Sequence, residues 1–118
     1  MTRLLYIGAK ADIVAHEEGG KCPAEDFIMD LDAVSMKKVI KLIELFGDRG
    51  GIYNTEKFVQ EEGPVYALKS HQVRLYCFFL PHGPKRTLVL THGYIKKSAK
   101  ARPADIQRTA SIYSTYQK

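Results

Sequence analysis

An α+β domain is the fold class this chain predicts, on three observations. Residues 23–46 carry apolar side chains at helical spacing, residues 65–97 hold three short apolar runs parted by turn residues, and a last helical stretch opens at Pro103. At 118 residues the chain makes one domain, 1–118, long enough to build a core without disulfides.

Met1-Thr2-Arg3-Leu4-Leu5-Tyr6-Ile7-Gly8 has one basic residue ahead of a short apolar run. It lacks the length and cleavage pattern of a secretory signal and reads as a strand. His16 to Lys21 then reads as a loop. Pro23 suits a first helical turn, and Glu25 and Asp26 favour the positive end of a helix dipole, so a short helix is predicted over 23–32. Met36, Val39, Ile40 and Ile43 repeat at i, i+3, i+4, i+7 opposite Lys37, Lys38, Lys41 and Glu44, which predicts a longer helix over 34–46 ending at Gly47. The two helices make a hairpin whose apolar seam needs a sheet to cover it. Gly47, Gly50, Gly51 and Gly63 mark residues 47–63 as a connector with a helical turn at 54–60.

The three apolar runs are Val65–Ser70, Val73–Leu80 and Thr87–Lys97, with turns at 70–72 and 81–84. Alternation puts Val73, Leu75, Cys77 and Phe79 on one face and Arg74, Tyr76 and Phe78 on the other. Lys69 shares its face with Ala67, and Leu88, Leu90, His92 and Tyr94 share theirs. Lys69, Arg74 and His92 cannot be buried unpaired without a cost of several kcal/mol, so a meander with these polar groups on one open face is expected. Cys77 reads as a small core residue. His16, His71 and His82 fall in loops and are unassigned.

Charge divides the chain. Residues 1–62 hold 8 Lys and Arg against 12 Asp and Glu, whereas residues 63–118 hold 10 cations against Asp105 alone. A half with a net charge of +9 draws phosphates or an acidic partner. No apolar run reaches the roughly 18–20 residues that span a bilayer. Cys22 and Cys77 fit neither a disulfide framework nor a metal spacing, so a cytoplasmic setting is expected.

The matching text is Tyr66-x-Leu68-Lys69, then Val73-Arg74-Leu75-Tyr76-x-Phe78-Phe79, then Leu88-Val89-Leu90-Thr91-His92-Gly93-Tyr94-Ile95-Lys96-Lys97. With this order of elements, residues 23 to about 113 resemble the RelE/HigB superfamily of toxins from type II toxin–antitoxin systems, nearest its phage-derived, HigB-like branch. Residues 1–22 are an unassigned extension with a possible strand. The resemblance implies a RelE-like fold: an N-terminal strand and helical hairpin packed on an antiparallel sheet of three to four strands, with a C-terminal helix. It also implies a metal-independent endoribonuclease that cuts messenger RNA on the ribosome and is held in check by an acidic antitoxin with a helix-turn-helix domain. The chemistry would be attack of a ribose 2′-hydroxyl on the adjacent phosphodiester, with no cofactor. Lys69, Arg74, His92 and Lys96 match the catalytic positions, with Arg74 suited to a bidentate phosphate contact and His92 to proton transfer. Lys97, Lys100 and Arg102 would bind RNA. Ala67 stands where that strand often carries a larger residue, and Lys69 where arginine is frequent, so the planar fork is missing there. Tyr113 or Tyr116 could match a C-terminal catalytic tyrosine, with packing on the sheet the favoured role. The alternative on the same fold is a non-catalytic, ParE-like inhibitor of DNA gyrase.

Overall fold

Nine elements follow one another in the computed structural model, which describes residues 1–80, 83–97 and 102–117. They are β1 (Thr2–Ile7), β2 (Ala11–His16), α1 (Pro23–Met29), α2 (Ala33–Arg49), β3 (Phe58–Glu62), β4 (Val65–Ser70), β5 (Val73–Phe79), β6 (Arg86–Ile95) and α3 (Pro103–Thr115). The six strands form one mixed sheet in the order β1-β2-β6-β5-β4-β3. β2 runs parallel to β6, and every other pair is antiparallel. A sheet of three or four antiparallel strands therefore misses two: β2, inside the sheet between β1 and β6, and β3, at its edge.

Each missed strand has a local reason. Ile13 and Val14 follow the turn at Gly8-Ala9-Lys10, and β2 pairs back on β1 from Thr2↔His16 to Ile7↔Asp12. His16 thus closes a strand and is buried, with its Nδ1 2.6 Å from the Tyr116 hydroxyl, instead of lying in a loop. At the β3 edge, Gly63 adopts φ +52 and turns β3 into β4. The sequence Gly63-Pro64 between two apolar-rich runs is a hairpin signal. Of the helical turn expected at 54–60, one turn forms before β3 begins, with the Phe58 N–H donating to the Asn54 carbonyl at 2.9 Å.

The helices form for the expected reasons and end in different places. Asp32 caps α2 by accepting the Ser35 N–H at 2.8 Å, and Gly50, at φ +78, ends it in the left-handed conformation. Gly47 lies inside the helix instead of stopping it. A Cβ there would stand 2.7 Å from the Tyr6 ring, so this glycine permits close packing of α2 on β1. The buried stripe of α2 is Val39, Leu42, Ile43 and Phe46, one position round from the predicted one, and Ile40 is 40% exposed.

Two layers cover the sheet. α1 and α2 pack on one face over Ile13, Leu68, Leu75, Cys77, Leu88 and Leu90. α3 packs on the other through Ile106 and Ile112, over Val65, Ala67, Tyr76, Phe78 and Val89. Tyr113 and Tyr116 both meet Phe78 edge-on, which is the packing role. No helix among the described residues is long and apolar enough to cross a membrane.

A bulge in β6 decides which face the site occupies. Cys77 pairs with Leu90 and Tyr76 with His92, leaving Thr91 as an extra residue. Simple alternation would put Leu88, Leu90, His92 and Tyr94 together. The inserted residue breaks that phase: Leu88 and Leu90 join the α1–α2 core, whereas His92 and Tyr94 stack with Tyr76 on the α3 side.

Candidate anion-binding cleft

Beyond the first turn of α3, the sheet face stays uncovered and forms a cleft of about 100 Å³ lined by Glu61, Ala67, Lys69, Arg74, Tyr76, Tyr94 and Lys96. β4 and β5 each contribute a cation, and the segment just past β6 contributes a third. Lys69 is paired directly across from Arg74, and Arg74 across from Tyr94. Lys96 follows β6, its N–H donating to the Gln72 carbonyl at 2.6 Å. Like charges directly opposite one another weaken a sheet, and the Lys69–Arg74 pair breaks that rule. None of the three cations has a carboxylate within ion-pair distance among the described residues. Local conflicts of this kind are expected where function requires them.

Arg74 is aimed by the turn before it. Its Nη1 donates to the carbonyls of His71 at 2.5 Å and Val73 at 3.1 Å. Only part of the guanidinium is spent on those carbonyls, so donors remain for an anion. The pairing with Glu61 or Glu62 that would make Arg74 purely structural is not formed.

The cleft floor is a column of planar groups. The Arg102 guanidinium lies 4.4 Å from the centre of the Tyr94 ring. Tyr94 stacks on Tyr76 with centroids 6.0 Å apart, and Tyr76 stacks on His92 at 5.4 Å. Burial, then the neighbouring Tyr94, raises the Tyr76 phenol pKa well above its ordinary value, so this hydroxyl remains a donor.

His92 does not line the cleft. It is 4% exposed and lies beneath the start of α3. Nε2 is 2.9 Å from Asp105 Oδ1, and Nδ1 is 3.0 Å from the Thr91 hydroxyl, which also meets Thr109 at 3.0 Å. Burial is the main cause that lowers the His92 pKa, opposed by the Asp105 hydrogen bond. Thr91, His92 and Asp105 have the order of a nucleophile, base and carboxylate, yet all three are enclosed, so the network ties α3 to β6.

Of the remaining sequence candidates, Lys97 is exposed just past β6, and Arg102 is held at the cleft mouth by its Nε, 2.7 Å from Asp105 Oδ2. Lys100 lies outside the described residues. Three groups in the cleft escaped the sequence reading: Glu61, Tyr76 and Tyr94. Tyr76 and Tyr94 stand two positions from Arg74 and Lys96, a spacing that marks a shared strand face. Glu61 sits at the β3 bulge, which no sequence signal exposes. No protein-family model matches the chain, and no curated protein matches it.

Proposed function

We propose that this cleft holds a phosphodiester of messenger RNA, and that the protein is a metal-independent endoribonuclease of the RelE/HigB toxin type, acting on the ribosome. The observation that carries the reading is the convergence of Lys69, Arg74 and Lys96, without ion-pair partners among the described residues, on a tyrosine-lined floor. Cations free of carboxylate partners suit the phosphate backbone of single-stranded RNA.

The chemistry divides among the lining residues. A ribose 2′-oxygen bonds to phosphorus, the 5′-oxygen bond breaks, and a cyclic phosphate and a free 5′-hydroxyl result. Arg74 and Lys69 balance the charge gathering on the phosphoryl oxygens. Glu61, the one carboxylate lining the cleft among the described residues, takes the 2′-hydroxyl proton, and the Lys96 ammonium returns one to the departing 5′-oxygen. His92 is a positioning residue, acting through the Tyr76 ring stacked on it. In the resting cell an acidic antitoxin covers the basic face, binding fast and weakening with salt.

The test is single-turnover cleavage of ribosome-bound messenger by the purified chain. Arg74→Ala is expected to slow it by about 10²–10³ with an unchanged circular dichroism spectrum. Arg74→Lys, which keeps the charge and loses the fork, recovers part of that rate. Intact messenger and continuing translation on expression, with DNA supercoiling lost instead, would move the assignment to gyrase inhibition.

A further inference from the structure

The cations of the cleft do not end at its rim, because a chain of contacts carries the series round the β4–β5 turn to α2. The Arg74 guanidinium donates to the His71 carbonyl at 2.5 Å, and His71 Nε2 lies 3.3 Å from Lys38 Nζ. Lys41 stands one helical turn beyond Lys38. Beside β4, the Lys69 N–H donates to the Lys57 carbonyl at 2.8 Å. Lys57 lines the same shallow hollow as Lys38, Lys41 and His71. None of Lys38, Lys41 and Lys57 has a carboxylate within ion-pair distance among the described residues.

Three local rules are broken around this one turn. Lys69 and Arg74 are like charges paired directly across the sheet. Lys37 and Lys38 each stand one turn from Lys41, so α2 carries like-charge pairs as well. His71 takes φ +55, in the left-handed region that is uncommon outside glycine. The first two weaken the free protein by repulsion, and an anion laid between the cations relieves both. Repulsion retained on both sides of one turn marks a surface suited to a polyanion.

The kind of polyanion follows from what else the hollow offers. Its apolar side chains among the described residues are Leu42, which is buried, and Leu45, which is 37% exposed. An acidic protein helix docks through a row of apolar anchors, and one half-open leucine does not supply a row. A phosphate backbone needs only the charges.

We infer that the β4–β5 turn is a saddle for an RNA strand, which runs out of the cleft across His71 and rests further phosphates on Lys38, Lys41 and Lys57. The inference rests on the RNA reading of the cleft and extends the contact to the far side of the turn.

Fluorescence anisotropy of the full chain with labelled oligouridylates of three and ten nucleotides, between 50 and 200 mM salt, tests it. The trimer occupies the cleft alone, whereas the decamer can cross the turn. At about 0.7 per phosphate, three further phosphates should make the decamer's logarithmic salt slope steeper than the trimer's by about 2. Combining Lys38→Gln, Lys41→Gln and Lys57→Gln should return the decamer's slope to the trimer's and weaken decamer binding about tenfold or more at low salt. Trimer binding and the circular dichroism spectrum should not change, since all three side chains are exposed. Arginine at the same three positions keeps the charge and should keep the slope. An unaltered decamer slope in the folded glutamine variant, or equal losses for trimer and decamer, would overturn the saddle. So would a polyglutamate peptide that binds as tightly as the decamer through the same lysines, which would assign the surface to an acidic protein. Lysine-dependent decamer binding without messenger cleavage would instead sink the proposed function and leave the saddle standing. Messenger cleavage with a decamer slope indifferent to the lysines does the reverse.

Discussion

Glu61 and His92 are predicted to behave in opposite ways, because one faces the cleft and the other is sealed from it. Glu61→Gln removes a proton acceptor without changing size, and it should slow single-turnover cleavage by about 10²–10⁴ while ribosome co-sedimentation persists. Asp105→Ala would leave the His92 Nε2 unpaired and free Arg102, so it should cost about 1–3 kcal/mol in urea unfolding. The pH dependence follows from the same burial. His92 has a folded pKa below its ordinary value of about 6.5, with Asp105, Arg102 and Arg108 as its charged neighbours. The unfolded chain therefore binds the proton more readily, so this contribution to stability is complete above about pH 6.5 and declines as pH falls below it. His16 is shifted in the same direction, chiefly by burial. Thermal melts from pH 7.5 to 5 should show the midpoint falling, and the slope should be shallower in His92→Gln.

Among the elements, the β1–β2 hairpin and the β6 bulge set the geometry. A Cβ on Gly8 would lie 2.2 Å from the carbonyl carbon of Gly47, and backbone cannot yield as a side chain can. Gly8→Ala should therefore destabilise by about 1–3 kcal/mol, read as a lower urea midpoint. The bulge at Thr91 is anchored by its hydroxyl, which meets the Tyr76 carbonyl at 3.2 Å and Thr109 at 3.0 Å. Thr91→Val keeps the shape and removes the hydrogen bonds to the Tyr76 carbonyl, His92 Nδ1 and Thr109. It should cost about 1–3 kcal/mol, and loosening the bulge should lower cleavage more than RNA binding, since it moves Tyr76 and Tyr94 and leaves the cations in place.

Across the whole molecule, charge is sorted along the chain, −4 in residues 1–62 against +9 in residues 63–118, and three cations of the second half converge on the cleft. Binding of single-stranded RNA should weaken steeply with salt, by about 0.7 in logarithmic slope per phosphate neutralised. Lys96→Ala should reduce that slope by close to one such increment when affinity is measured by fluorescence anisotropy between 50 and 200 mM salt. An unchanged slope would place the phosphate elsewhere.

Much of this architecture is legible in the residues alone. Helical spacing marks α1, α2 and α3, and β-branched and aromatic runs mark β4, β5 and β6, because those signals are local and depend on which side chains recur at 3.6 or 2 residues. Lys69 and Arg74 stand out as cations within those runs, whereas Lys96 is named only by the resemblance to the RelE/HigB toxins. Other features depend on partners distant in sequence. β2 is a strand of this sheet because it runs alongside β6, more than seventy residues away. Gly47 continues a helix because Tyr6 needs its space. His92 is hidden while Arg74 is open because one inserted residue turns it beneath α3, and that follows from pairing with β5 and cover by Asp105 and Thr109. Propensity and periodicity are properties of neighbours along the chain, whereas register, bulges and burial arise only when separated segments meet. The sequence alone therefore supplies the candidate groups, and the tertiary structure decides which of them a ligand can reach.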